Sequence, residues 1–395
     1  MSIVILLLAL VLRLISLNQS LWLDEATQVL ASRDRGFGEL ITGYAVGDFH
    51  PPLYHAVLWL WFHLVPATEV YSRIPSVLFG CLTVFLTYRF ALQFGRAVAT
   101  LSALFLAVSP LHIYYSQDAR MYALACFLVI LSMVAMTKNR WFLYTASLLG
   151  LVWTEYVPYL IFLPQSLFVR SSFRSFVLAW GIAFLSLLPW LPYFWRQLEI
   201  GRTFAQTVPE WGRIVGGLEW KTVPLTLDKF VLGRFPISED LLGRTAQGAL
   251  MLMWYGVMIR GMLSKKAALL TAWFLVPLAG AFIISLAIPV FSYFRILYVL
   301  PPMFILFVLG ALSLTGKLRY AVVLGAIVLE VIMSSLYLTR PDLQRENWRG
   351  AVSYIEQSKL PVAFYLHVSP DPYRYYAKVD RSINMLNGVT SLSDP

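Results

Sequence analysis

His50-Pro51-Pro52-Leu53-Tyr54-His55-Ala56-Val57-Leu58-Trp59-Leu60-Trp61-Phe62-His63-Leu64-Val65 is the stretch on which the plan of this chain turns. Its apolar part, residues 53–65, is about 20 Å long as a helix, against about 30 Å of hydrocarbon in a bilayer. It is too short to cross and is read as a helix lying in the interface, with Trp59, Trp61 and His63 at headgroup depth. Leaving it out of the count sets the parity of every later segment. Arg96, Lys138-Asn139-Arg140, Arg170 with Arg174, Lys265-Lys266 and Lys317 with Arg319 then share one side, in loops without an acidic residue. Every acidic residue except Glu155 and Glu330 falls in segments on the other side. By the positive-inside rule the basic side is cytoplasmic.

Working outward, the remaining apolar runs are 1–17, 74–93, 97–115, 120–136, 141–154, 156–169, 175–195, 246–263, 267–288, 296–314 and 320–338. The expectation is an all-α polytopic membrane protein with eleven spans and a cytoplasmic N-terminus, in which 1–338 is the membrane domain. Run 1–17 passes into Asn18-Gln19-Ser20 without a small-residue cleavage site, so it is read as a retained helix. Composition agrees: of 395 residues, 59% are hydrophobic and 13% charged, whereas a soluble domain has about 25% charged. Cys81 and Cys126 both lie in apolar runs and offer neither a disulfide framework nor ligand spacing.

The outer face carries the loop 18–73, the link Tyr115-Ser116-Gln117-Asp118-Ala119-Arg120, the loop 196–245 broken by Pro209, Gly216-Gly217, Pro224 and Pro236, and the tail 339–395. In the first loop a helical stretch reaches about Arg33 and a Gly-rich turn covers 36–47. In the tail, Trp348–Glu356 reads as a helix and Pro361–Val368 as a strand, a small α/β appendage. The net charge of +10 sits in short inner loops and among outer aromatics, which suits anionic headgroups and excludes nucleic acid as the partner. No Gly-rich strand-to-helix fingerprint marks a nucleotide-sugar site.

Trp22-Leu23-Asp24-Glu25-Ala26, His50-Pro51-Pro52-Leu53, Ser72-Arg73-Ile74-Pro75-Ser76 and Ser116-Gln117-Asp118-Ala119-Arg120-Met121-Tyr122 resemble, in order and spacing, the GT-C class of membrane glycosyltransferases. The nearest groups are the bacterial relatives of the protein O-mannosyltransferases and of the lipid A aminoarabinose transferase. The resemblance implies transfer of a sugar from a polyprenyl-phosphate carrier to a glycan, lipid or protein hydroxyl on the outer side of the cell membrane, with inversion. It makes Asp24 the base, Glu25 its helper in placing the acceptor or tuning the pair, and Asp118 a second functional acid that orients the acceptor, joins Asp24 on a metal or holds Arg120. Cations for the carrier phosphate are His50, Arg73, Arg120 and Arg295, with Glu155, Tyr115 and Gln117 as further site residues. A divalent metal stays open. His50 before the paired prolines matches the mannosyltransferase branch, where the aminoarabinose branch has lysine.

Alternatives remain at this point. Asp24 as a helix cap, Asp118 with Arg120 as a plain ion pair and Arg295 as a snorkelling arginine explain the same residues without chemistry. A flippase for lipid-linked sugars and a non-catalytic lipid-binding scaffold keep the same motifs. Arg13, about a turn from the outer end of the first run, is expected to snorkel, since mid-membrane burial costs roughly 3 kcal/mol. Glu330 is expected to pair within the bundle, and His55 with His63 to lie at the interface.

Overall fold

A computed structural model of the chain describes residues 3–169, 172–207, 217–358, 360–364 and 369–384. Arg170 of the basic loops, the breakers Pro209 and Gly216, and positions 365–368 of the expected strand lie outside the described residues. Each of the eleven long apolar runs is helical. Among the described residues, Glu69–Phe94, Phe173–Thr203, Lys265–Ser285 and Leu318–Thr339 are long and apolar enough to cross a membrane by themselves. Shorter apolar helices cover Ile3–Leu14, Tyr122–Thr137, Trp141–Val152, Val157–Phe168 and Leu297–Leu312.

The elements that frame the end of the bundle bearing the motif residues are α1 (Ile3–Leu14), α2 (Leu23–Asp34), α3 (Leu53–Phe62), α4 (Glu69–Ala91), α5 (Arg96–Val108), α6 (Pro110–Ser116) and α7 (Tyr122–Thr137). Helix α3 is the short proline-led helix, about 15 Å long at its ten residues. Its tryptophans tie it to its neighbours, Trp59 Nε1–H donating to the Arg35 carbonyl and Trp61 Nε1–H to the Tyr71 carbonyl. Thr68 caps α4, accepting from the Tyr71 N–H, and Pro75 sits in its second turn. Proline also explains the break between α5 and α6: Pro110 has no N–H to continue the ladder, and the two helices bend by 62°. That bend delivers the link Gln117–Arg120 to the end of the bundle.

Close helix packing relies on glycine where helices Leu241–Met262 and Leu300–Leu312 cross. A Cβ on Gly261 would collide with the Leu306 carbonyl, and one on Gly310 with that of Val257. One large core includes Phe105, Trp254, Phe304 and Phe307, with Trp254 stacked on Phe307 at 4.0 Å.

Several expectations need revision. The Gly-rich stretch 36–47 winds as short helical pieces rather than an open turn. The described part of the loop 196–245 is largely helical, because Leu191–Thr207 continues the preceding helix and Thr222–Leu232 forms a helix of its own. Arg13 does not snorkel. It is fully buried, and its N–H groups reach Ser116 Oγ, His112 Nδ1 and the Ala9, Leu106 and Ala107 carbonyls, which offsets the loss of solvent. Both Glu330 carboxylate oxygens are buried without a hydrogen-bond partner among the described residues, so the expected pairing within the bundle does not occur there. In the tail, β1 (Val362–Phe364) pairs in parallel with β2 (Ser382–Asn384), and helices Trp348–Ile355 and Asp371–Tyr376 pack on each other.

Candidate active site

Helix α2 starts at Trp22, whose backbone is extended and whose side chain makes no cap. Asp24 therefore lies inside the first turn and is not the capping residue. Successive side chains on a helix turn by about 100°, so Asp24 and Glu25 diverge.

Glu25 points into a closed knot. Arg73 Nε donates to its Oε1 at 2.8 Å and Nη2 to its Oε2 at 2.5 Å, Arg345 Nε approaches Oε2 at 3.0 Å, and the Ala119 N–H donates to Oε1 at 2.9 Å. Burial alone would raise its proton affinity, but Arg345 and Arg73 outweigh it and hold the carboxyl down at about 2. Arg73 also donates to the Leu17, Gln19 and Ser20 carbonyls. All five of its N–H groups are thus engaged, leaving none for a phosphate. Gln117 is similarly committed: its amide donates to the Arg13 and Ile15 carbonyls and its Oε1 accepts from Tyr337. Tyr115 is buried in an aromatic cluster with Tyr114, Tyr122, Tyr293 and Phe294.

Asp24 points into a different group. It is half-buried, and among the described residues its carboxylate forms no hydrogen bond or ion pair. Burial raises its proton affinity; Arg120, His50 and Arg295 act against this and Asp48 with it. Asp48 is the hub of the group. Its Oδ1 accepts from Arg120 Nη1 at 2.9 Å, and its Oδ2 lies 3.1 Å from His50 Nδ1 and 3.5 Å from His55 Nε2. Burial opposes its ionisation, yet Arg120 and His50 keep it well below the usual carboxylate range.

His50 is held from both sides, by Asp48 at Nδ1 and by Glu155 Oε2 at 3.2 Å from Nε2. Burial disfavours its charge, but Glu155 and Asp48 prevail and raise its proton affinity above the ordinary histidine value. Phe49 between them sits at φ 61°, a left-handed backbone uncommon outside glycine, and the Asp48 carbonyl lies 2.6 Å from His50 Nδ1. Helix Leu191–Thr207 supports the turn through Gln197, which donates to the Ala45 and His50 carbonyls. His55 is buried, not interfacial. Its Nδ1–H donates to Gln28 Oε1, and burial keeps it neutral by lowering it to about 3. His63 does lie exposed beside Trp59.

Asp118 closes the link between the two groups. Its Oδ1 lies 3.5 Å from both Trp22 Nε1 and Arg345 Nη2, and its buried Oδ2 has no partner among the described residues. Burial pushes it up to about 7, with Glu25 adding to the rise and Arg345 opposing it. Arg120 keeps its Nε buried and unpartnered among the described residues. Arg295 donates to the Pro289 carbonyl at 3.1 Å and lies 5.8 Å from the Phe294 ring. No three His, Cys, Asp or Glu side chains among the described residues are arranged to hold a metal.

Residues 49–195 match the family described as dolichyl-phosphate-mannose-protein mannosyltransferase. The solved structure of ArnT from Cupriavidus metallidurans bound to undecaprenyl phosphate overlays with TM-score 0.60 at 13% identity, over 97% of this chain and 85% of that one. This is the PMT/ArnT-like GT-C fold. The apo form of the same ArnT gives TM-score 0.59 at 14% identity, over 97% of this chain and 85% of that one. The oligosaccharyltransferase of Archaeoglobus fulgidus in the apo form gives 0.51 at 13% identity, over 94% of this chain and 59% of that one. No curated protein sequence matches the chain.

On this GT-C frame, the structure brings Asp24, His50, Glu155 and Arg120 together, with Arg295 within electrostatic reach. Glu25 and Arg73 pair with each other instead. Two participants escaped the sequence reading, Asp48 and Arg345. Asp48 stands two residues before His50, a signal that was present but had no partner to give it meaning. Arg345 lies in the tail and offers no local signal.

Proposed function

We propose that this chain is a glycosyltransferase that moves a sugar from a polyprenyl-phosphate carrier to an acceptor hydroxyl on the extracytoplasmic side of the membrane, with inversion. The observation that carries the reading is the open carboxylate of Asp24 with Arg120, His50 and Arg295 within electrostatic reach. The likeness to ArnT bound to undecaprenyl phosphate supports the choice of donor.

The acceptor hydroxyl gives its proton to Asp24 as its oxygen forms the bond to the anomeric carbon. The bond from that carbon to the phosphate oxygen breaks, and its electron pair leaves on the polyprenyl phosphate. The donor is a phosphodiester with one charge and the product a monoester with two, so one negative charge develops during transfer. Arg120, with its unpartnered Nε, and Arg295 are assigned to that charge. His50 has both ring nitrogens engaged, so its part is to hold Asp48 and contribute positive potential rather than touch the phosphate. A raised Asp24 is a better base near neutrality than an ordinary aspartate.

The test is transfer from a panel of polyprenyl-phosphate sugars to membrane extract, by the wild type and by Asp24→Asn, following both product and donor. Consumption of one donor by the wild type alone supports the reading and names the sugar. Binding of carrier by both proteins with no donor consumed by either points instead to a flippase or scaffold.

A further inference from the structure

A cleft of about 270 Å³ opens between α2 and the C-terminal helix Asp371–Tyr376. Its wall on α2 includes Thr27, Ala31 and Asp34. Together with Asp24 these recur at steps of three and four residues, the spacing of side chains that share one helix face. The stripe runs from Asp34 along the cleft wall to Asp24, about 15 Å at a rise of about 1.5 Å per residue.

Tyr44 stands where the cleft meets the reactive group. It lines the cleft, and its hydroxyl is within electrostatic reach of both Asp371 of the cleft and Asp48, Arg120 and Asp24 of the reactive group. That hydroxyl is buried and has no hydrogen-bond partner among the described residues, an uncommon state that a ligand group would relieve.

The charges around the cleft are matched with one another. Arg33 pairs with Asp34 at 2.6 Å, Arg35 with Glu39 at 3.0 Å, and Arg374 with Asp380 at 3.0 Å and Asp371 at 3.6 Å. Each cation of the lining is thus already met by a carboxylate, which disfavours an anionic acceptor. Leu30 and Ala31 give little apolar wall for an acyl chain. What remains is a set of planar guanidinium and carboxylate groups with N–H groups and lone pairs to share, next to a tyrosine ring, which suits adjacent hydroxyls on a neutral ring.

We propose that this cleft is the acceptor site and that its ligand is a neutral sugar, one hydroxyl of which passes Tyr44 to reach Asp24. The inference rests on the transferase reading, in which Asp24 takes the acceptor proton. A free glycan and the headgroup of a glycolipid offer the same hydroxyl chemistry, and the test separates them.

Binding of maltoheptaose, of a galactosyl diacylglycerol and of undecaprenyl phosphate is measured on the purified full chain, for the wild type, for the double variant Asp371→Ala/Arg374→Ala and for Tyr44→Phe. The expected result is that one of the two sugars binds the wild type, at least tenfold more weakly to the double variant and at least threefold more weakly to Tyr44→Phe, relative to undecaprenyl phosphate in each case. Maltoheptaose as the ligand means a free glycan, the galactolipid alone a lipid-borne one. Failure of both sugars to bind the wild type, or equal binding by the wild type and both variants, overturns the proposal. Sugar binding without any binding of undecaprenyl phosphate would sink the transferase reading while leaving the cleft as a glycan site.

Discussion

At the start of α2 two sets of charged side chains lie close together and differ in how fully they are paired. Around Glu25, the five N–H groups of Arg73 are all engaged, and Arg345 and the Ala119 amide complete the carboxylate's shell. Around Asp24, a carboxylate stands without a hydrogen bond or ion pair among the described residues, with Arg120, His50 and Arg295 only within electrostatic reach. A closed shell holds the chain in place, and an open one is poised to accept a ligand. The two neighbours thus differ in pairing though they are adjacent in sequence, and the proposed mechanism assigns chemistry to the open one.

The sharpest way to break the contrast is Asp24→Asn. Loss of a general base predicts transfer slower by about 10²–10⁴-fold, with the thermal midpoint in detergent unchanged. A large fall in the midpoint would place Asp24 in the scaffold after all. Glu25→Gln should do the reverse: removing the charge that buried Arg73 and Arg345 share costs about 3–5 kcal/mol, read as a lower unfolding midpoint. Transfer per folded molecule should change far less than for Asp24→Asn.

Arg120→Ala tests the open group from its cationic side. A charge-assisted hydrogen bond is worth about 1.5–3 kcal/mol, so undecaprenyl phosphate should bind roughly 10- to 100-fold more weakly, whereas Asp24→Asn should bind it normally. Acidification sharpens the comparison further. Asp24 must be ionised to act as a base and its proton affinity is raised, so the acid limb of the rate profile should lie above the ordinary aspartate range. Glu25 is depressed to about 2, so its stabilising contribution is complete above its ordinary value and is lost only as pH falls from there through about 2. Activity should therefore fail before the fold does, and a profile in which both fail together would contradict the division. At the small end, His63→Ala on the exposed end of α3 should alter stability by no more than about 0.5 kcal/mol.

Hydropathy exposed the apolar runs because a bilayer demands long apolar helices, and every one of those runs is helical in the structure. The short α3 was also legible, since two prolines and thirteen residues leave it too little length. The motif residues Asp24, His50, Asp118 and Arg120 could be picked out, but their roles could not. Glu25 and Arg73 stand in the same motifs as Asp24, and only the direction of each side chain separates the paired residues from the open one. Asp48 acquires its meaning from Arg120 and His55, which reach it through tertiary packing, and Arg345 from Glu25, nearly the whole chain away. Arg13 misled because its rescue comes from Ser116, His112 and the Leu106 and Ala107 carbonyls of other helices, contacts that no local pattern announces.

Arg345 sets the order of events during synthesis. It follows the last long helix, Leu318–Thr339, and bridges Glu25 to Asp118. Until that part of the chain has emerged, Glu25 has only Arg73 for a cationic partner and Asp118 lacks its contact with Arg345. A nascent chain halted before residue 345 would hold every motif of the reactive group and still have an unfinished knot beneath it. Closure of the knot is thereby tied to synthesis of the chain through residue 345, after the helix Leu318–Thr339.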